Sequence, residues 1–209
     1  MTDTIAISAI LSDLDGVLVD SGDAIETTWA TWAVSRGIDP DALAGRIHGR
    51  PAGDVIREIA PHLDAEAEGA AVTQMDIDGP PAKLLDGARR LLDEDLGVPV
   101  AIVTSCPDAL AHVRLKTAEL RVPDVLVTAD RVANGKPDPE GYRLAATELG
   151  VDPAAAVVFE DAPAGIVAAK AAGARVIGIT TTHPRAELLE AGADDTAASV
   201  ADALARLAL

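Results

Sequence analysis

The chain has 209 residues, enough for one medium domain or for a core domain carrying a small insertion. Its formal net charge of −17 argues against nucleic acid or an anionic membrane as a partner. Cys106 is the only cysteine, which excludes an internal disulfide and fits a reducing compartment. The opening Met1-Thr2-Asp3-Thr4 lacks the basic region of a signal peptide, and no apolar run approaches the length of a membrane span. The expectation is a soluble cytoplasmic protein, a monomer or weak homo-oligomer, with Cys106 as a small buried residue.

Short apolar, β-branched runs alternate with alanine-rich helical stretches. The runs predict strands over 5–14, 99–104, 124–128, 156–160 and 175–179. Continuous apolarity, as in Val100-Ala101-Ile102-Val103, predicts strands buried on both faces, as in a parallel sheet. Helices are expected over 107–119, 137–149, 164–172 and 184–191, with Pro137 as a first-turn proline and Gly150 and Gly173 as helix stops. This βα alternation predicts an α/β fold with a doubly wound, mainly parallel sheet.

One interval breaks the alternation. From about 21 to 82 the pattern is helical, with Ile25, Trp29, Trp32 and Val34 in one apolar stripe and a second helix over 52–60. The interval closes at Gly79-Pro80-Pro81, a hinge-like cluster. It reads as a helical cap inserted after the first strand, giving a core of 1–18 and 83–209 and a cap of 19–82. The two tryptophans are expected to form the core of that cap.

Ligands of open α/β sheets bind beyond the carboxyl ends of the strands. The first strand ends in Asp13 and Asp15, the second in Thr104 and Ser105. After the third comes Gly135-Lys136-Pro137-Asp138-Pro139, and the fourth ends in Glu160-Asp161. Each has an ordinary reading on its own: a turn, a helix cap, a solvated lysine. In this order, at successive strand ends, they compose a phosphoryl-transfer site.

The residue types suit that chemistry. A phosphoryl group is negative on its equatorial oxygens, so catalysis is mostly positioning and charge neutralisation. An Asp13 nucleophile would form an aspartyl phosphate and split one hard step into two. Several clustered carboxylates would repel such a substrate without a cation, and Mg²⁺ takes oxygen ligands and bridges carboxylate to phosphate. Lys136 supplies fixed positive charge, Thr104 a hydroxyl donor, and Asp15 a carboxyl that protonates the leaving oxygen and then deprotonates water.

These four segments resemble the motifs of the haloacid-dehalogenase superfamily, in the branch with a small helical cap after the first motif. The resemblance spans essentially the whole chain. It implies Asp13 as nucleophile, Asp15 as acid/base, and Thr104 and Lys136 on the phosphoryl group. It also implies Mg²⁺ held by Asp13, the backbone carbonyl of Asp15, and Asp161, with Glu160 behind them. The segment from Phe159 to Ile166 and the segment from Gly135 to Tyr142 are similar to those of sugar and polyol phosphatases. So is Ile47-His48-Gly49-Arg50, which implies that His48 and Arg50 face the substrate, a small phosphorylated metabolite. The alternatives are a β-phosphoglucomutase-like isomerase and a non-catalytic binding protein. The first is disfavoured because Ile25 and Ala52 stand where such mutases carry histidine and arginine. The second is disfavoured because Asp13, Lys136 and Asp161 are all present. Ser12 departs from the family, which usually has an aromatic residue there. Pro51 departs from relatives that carry a second basic residue at that position.

Overall fold

A computed structural model describes residues 7–47 and 50–209. In chain order, β1 (Ala9–Ser12) is followed by a short ribbon strand β2 (Val19–Asp20). Three helices come next, α1 (Gly22–Ser35), α2 (Ala52–Ile59) and α3 (Ala65–Asp78). The chain returns through β3 (Lys83–Leu84), which pairs antiparallel with β2. From there strands and helices alternate: α4 (Ala88–Asp93), β4 (Val100–Val103), α5 (Asp108–Thr117) and β5 (Val125–Val127). The alternation continues with α6 (Glu140–Leu149), β6 (Ala156–Glu160), α7 (Pro163–Ala172) and β7 (Arg175–Ile179). The last elements are α8 (Arg185–Glu190), β8 (Asp195–Ala197) and α9 (Val200–Arg206).

The main sheet has six strands in the order β5-β4-β1-β6-β7-β8, and every adjacent pair is parallel. The strand order reverses at β1, which lies between β4 and β6. That reversal opens a crevice at the carboxyl end of β1. Successive side chains of a strand face opposite sides. Ile10, Ile102, Val157, Phe159 and Ile177 accordingly pack on one face with α4, α5 and α9. Leu11, Ala101, Val103, Val158 and Val176 pack on the other with α6 and α7. Both faces are covered, which explains the unbroken apolar runs of the strands. Gly150 and Gly173 end α6 and α7 in the left-handed conformation, at φ 70° and 96°, as expected of helix stops.

A third apolar cluster joins α1, α2 and α3 around Trp29, Trp32, Val55, Ile56 and Val72. The two indoles meet edge to face with centroids 5.4 Å apart. Trp32 Nε1 donates to Glu68 Oε2 at 2.7 Å, which satisfies its one donor without leaving the cluster.

Three details differ from the sequence reading. Val34 is 66% exposed. It lies two residues past Trp32, on the far side of the helix from the stripe of Ile25, Trp29 and Trp32. Pro137 is not a first-turn proline: α6 starts at Glu140, and the preceding residues form a turn closed by Asp138 N–H on Gly135 O. The first strand is shorter than 5–14, because Asp13 and Asp15 already belong to the turn beyond it. Residues 5 and 6 of that expectation lie outside the described residues.

Ile102 is wholly buried at the centre of the sheet. Replacing it with alanine is expected to cost about 2–5 kcal/mol in urea unfolding. Val34→Ala, on the exposed side of α1, should stay within about 0.5 kcal/mol.

Candidate active site

The crevice at the end of β1 is built by backbone before it is filled by side chains. Asp13 N–H donates to Phe159 O at 2.9 Å, which carries the β1–β6 ladder one residue past the strand. The buried Ser12 hydroxyl donates to Asp13 O at 2.7 Å, and so occupies its place with a hydrogen bond. Leu14 N–H then donates to Asp13 Oδ1 at 2.7 Å, aiming the carboxylate out of the turn. The turn needs Gly16, which sits at φ +76°, and a Cβ there would fall on the carboxylate of Asp161.

Lys136 enters from the loop after β5. Its Nζ lies 3.0 Å from Asp13 Oδ2 and 2.6 Å from Glu160 Oε1, with all three side chains almost fully buried. Glu160 is saturated. Oε1 accepts from Lys136 and from Tyr142 OH at 2.9 Å, and Oε2 accepts the N–H groups of Asp161 and Ala162 at 3.0 and 3.1 Å. Gly165 makes room for this group, since a Cβ at that position would overlap the Glu160 carboxylate. Asp161 follows on the same strand end. Its carboxylate and its backbone carbonyl both accept from the Thr182 hydroxyl, and His183 Nδ1 lies 3.0 Å from the same carbonyl. Each of Asp13, Glu160 and Asp161 offers a carboxylate oxygen within 4.8 Å of the others.

Such crowding has electrostatic consequences. Burial, reinforced by Glu160 and opposed by Lys136, pushes Asp13 up to about 7. Burial, then Glu160 and Asp13, raise Asp161 well above the carboxylate range. Burial disfavours the Lys136 ammonium, but Asp13 and Glu160 together hold it above the usual lysine range. The set fits a hard cation: two carboxylates, Asp13 and Asp161, converge on one point with their charges unbalanced by the single lysine. Because its four hydrogen bonds occupy both oxygens, Glu160 is suited to backing the others rather than to contacting a metal.

Thr104, at the end of β4, is buried; its hydroxyl oxygen accepts Cys106 N–H at 3.1 Å, which fixes the turn into α5. Ser105 lines the same crevice. Asp15 sits across from Asp13 with Ser21 Oγ at 2.6 Å and Cys106 Sγ at 2.8 Å, and Arg114 is ion-paired to it. These groups open into a cavity of about 230 Å³ between the strand ends and α1–α3, walled by Ile25, Trp29, Ile47, Ala52 and Val72. Arg50 also lines it, with its Nη1 2.9 Å from Glu58 Oε2. His48 lies outside the described residues.

The structure therefore brings Asp13, Asp15, Thr104, Ser105, Lys136, Glu160 and Asp161 to one crevice, with Arg50 on its opposite wall. Sequence reasoning missed Thr181 and Thr182. Thr181 donates to Gly16 O and Thr182 to Asp161. Both follow a strand the sequence did predict, so the rule that gave the other residues would have reached them. Arg114 and Cys106 left no comparable signal, because an arginine inside a helix and a lone cysteine look ordinary in sequence.

The sequence pattern of haloacid dehalogenase-like hydrolases matches residues 7–173. The chain is 44% identical to validoxylamine A 7'-phosphate phosphatase of Streptomyces hygroscopicus subsp. limoneus, over 87% of this chain and 89% of that one. It is 42% identical to hexitol phosphatase A of Escherichia coli, over 81% of each. The crystal structure of CbbY from Rhodobacter sphaeroides in complex with phosphate superposes with a TM-score of 0.78 at 28% identity, covering 97% of this chain and 100% of that one.

The raised Asp13 fixes the sign of a pH effect. A carboxyl that binds its proton more tightly folded than unfolded supports folding below 3.8 and loses that support as pH rises through about 7. A divalent cation replaces the lost proton. Added divalent cation should therefore raise the melting temperature clearly at about pH 8 and much less at about pH 5. Equal shifts at both pH values would count against this site as the place of binding.

Proposed function

The chain belongs to the haloacid dehalogenase-like hydrolases and is a phosphoric monoester hydrolase; from that premise we propose that it is an Mg²⁺-dependent phosphatase of small sugar or polyol phosphates. The observation that carries the reading is the buried Lys136 ammonium set between Asp13 and Glu160, with Asp161 alongside. Residues 1–18 and 83–209 form the catalytic core in this reading, and residues 19–82 form a helical cap that closes over the leaving group. A cytoplasmic setting suits it, since the single cysteine of the sequence is a buried free thiol.

Asp13 is the nucleophile. Leu14 N–H and Lys136 hold its two oxygens, so the attacking carboxylate is oriented before substrate arrives. Attack on phosphorus breaks the ester bond and leaves the phosphoryl group on Asp13 as a mixed anhydride. Asp15 delivers a proton to the departing alcohol oxygen. The same carboxylate then takes a proton from the water that cleaves the aspartyl phosphate, which returns Asp13 and releases phosphate. Lys136, Thr104 and Ser105 hold and neutralise the phosphoryl oxygens. Asp13, Asp161 and the backbone carbonyl of Asp15 would hold the Mg²⁺, whose chemistry there is charge neutralisation of the phosphoryl group.

Substrate class follows from the cavity. Arg50, Thr73 and Trp29 surround the space available to a leaving group, which admits a small hydroxylated carbon skeleton. The names of the relatives, hexitol phosphatase A and a 2-deoxyglucose-6-phosphate phosphatase among them, support the same class. Ile25 and Ala52 line this cavity where mutases of the related type carry histidine and arginine. That wall offers no cationic grip for a second phosphate at those positions, which favours hydrolysis over isomerisation.

Phosphate release should be tested over hexose, pentose, polyol and nucleotide monophosphates, with Mg²⁺ or with chelator. Release from sugar or polyol phosphates is expected only with Mg²⁺, and Asp13→Asn should lower kcat/KM by about 10³-fold or more. A D13N protein with wild-type turnover would remove the proposed mechanism.

A further inference from the structure

Arg114 is a buried charge that the chemistry above leaves unused. It lies within α5, and its side chain is only 6% exposed. Burying a guanidinium is costly unless carboxylates and hydrogen bonds surround it. Here one guanidinium reaches three groups. Nη1 is ion-paired to Asp15 Oδ1 and donates to Cys106 Sγ at 3.3 Å, while Nη2 lies 3.7 Å from Asp76 Oδ2. Asp76 belongs to the last turn of α3, just before the chain returns to the core, and its side chain is 9% exposed.

The other groups on Asp15 are weaker restraints. Ser21 Oγ donates to Oδ1 from an uncharged hydroxyl, and the Cys106 thiol donates to Oδ2. A thiol is a poor donor, and burial pushes Cys106 up to about 12, so it remains a thiol rather than a charged partner. Of the three, Arg114 alone brings a full positive charge to the carboxylate. It is also the only one of the three that continues to a carboxylate on α3.

We infer that Arg114 is the positioning residue of Asp15, and that Asp76 positions Arg114, so that one guanidinium links the seating of α3 to the orientation of the acid/base carboxyl. The inference rests on the proposed role of Asp15 as acid/base. A misaimed general acid slows departure of a basic leaving group far more than departure of one that leaves well as an anion.

Phenyl phosphate and p-nitrophenyl phosphate separate these cases, since their leaving groups have similar shape and different basicity. Arg114→Met should lose about tenfold more kcat/KM on phenyl phosphate than on the nitro ester, and Arg114→Lys should recover most of that difference. Asp76→Asn, which leaves the arginine in place, should move the ratio in the same direction by less. In an Asp15→Asn background, Arg114→Met should leave the ratio unchanged. Melting curves identify any variant that fails to fold; if R114M fails, R114K and D76N carry the comparison. Equal losses on both esters in folded variants, or a ratio that still moves when Asp15 is asparagine, would overturn the inference. Full activity in D13N would instead overturn the mechanism beneath it, so the two failures are distinguishable.

Discussion

One ammonium group, Lys136 Nζ, lies between Asp13 and Glu160 at the floor of the crevice, and the arrangement of the site depends on it. Without it, three buried carboxylates within 4.8 Å of one another would repel and take up protons. With it, one negative charge is matched and the remainder stays available for a cation. Tyr142 and two backbone N–H groups fix Glu160, Glu160 fixes Lys136, and Lys136 holds Asp13. The order runs from scaffold to the proposed nucleophile. Gly165 permits it by keeping α7 close enough for Glu160 to lie beneath the helix start.

The sheet places these groups without further help. Both faces of β1, β4 and β6 are buried, so each strand presents its polar side chains at or just past its carboxyl end. Reversal of strand order at β1 leaves that end open. α1–α3 then cover the opening with a cluster of their own, built on the edge-to-face pair of Trp29 and Trp32. Trp29 serves twice, since it is part of that cluster and part of the cavity wall. The cavity wall is thereby built in part from residues that also pack the helical cluster.

Much of this was legible in the sequence because the signals were periodic or positional. Apolar β-branched runs marked five of the six sheet strands, and residues just beyond four of them proved to converge. β8, three residues with the sequence Asp195-Thr196-Ala197, has no apolar run and is defined by its pairing with β7. Helix α3 buries only Val72 among its fourteen residues, so no stripe announced it. Val34 was misplaced because proximity in sequence was read as a shared helix face. The link from Asp15 through Arg114 to Asp76 was invisible because its members are 61 or more positions from Asp15, and only the fold brings them together. Long-range charge pairs leave no local pattern, whereas strand ends do.

The central claim is that Asp13 carries the phosphoryl group between two half-reactions. The most direct measurement is acid quenching during turnover of a sugar phosphate with Mg²⁺, followed by mass spectrometry of the digested protein. The account predicts a labile phosphoryl adduct on the peptide containing Asp13, absent in Asp13→Asn and absent without substrate. Phosphate release at the wild-type rate with the adduct on another residue would contradict it.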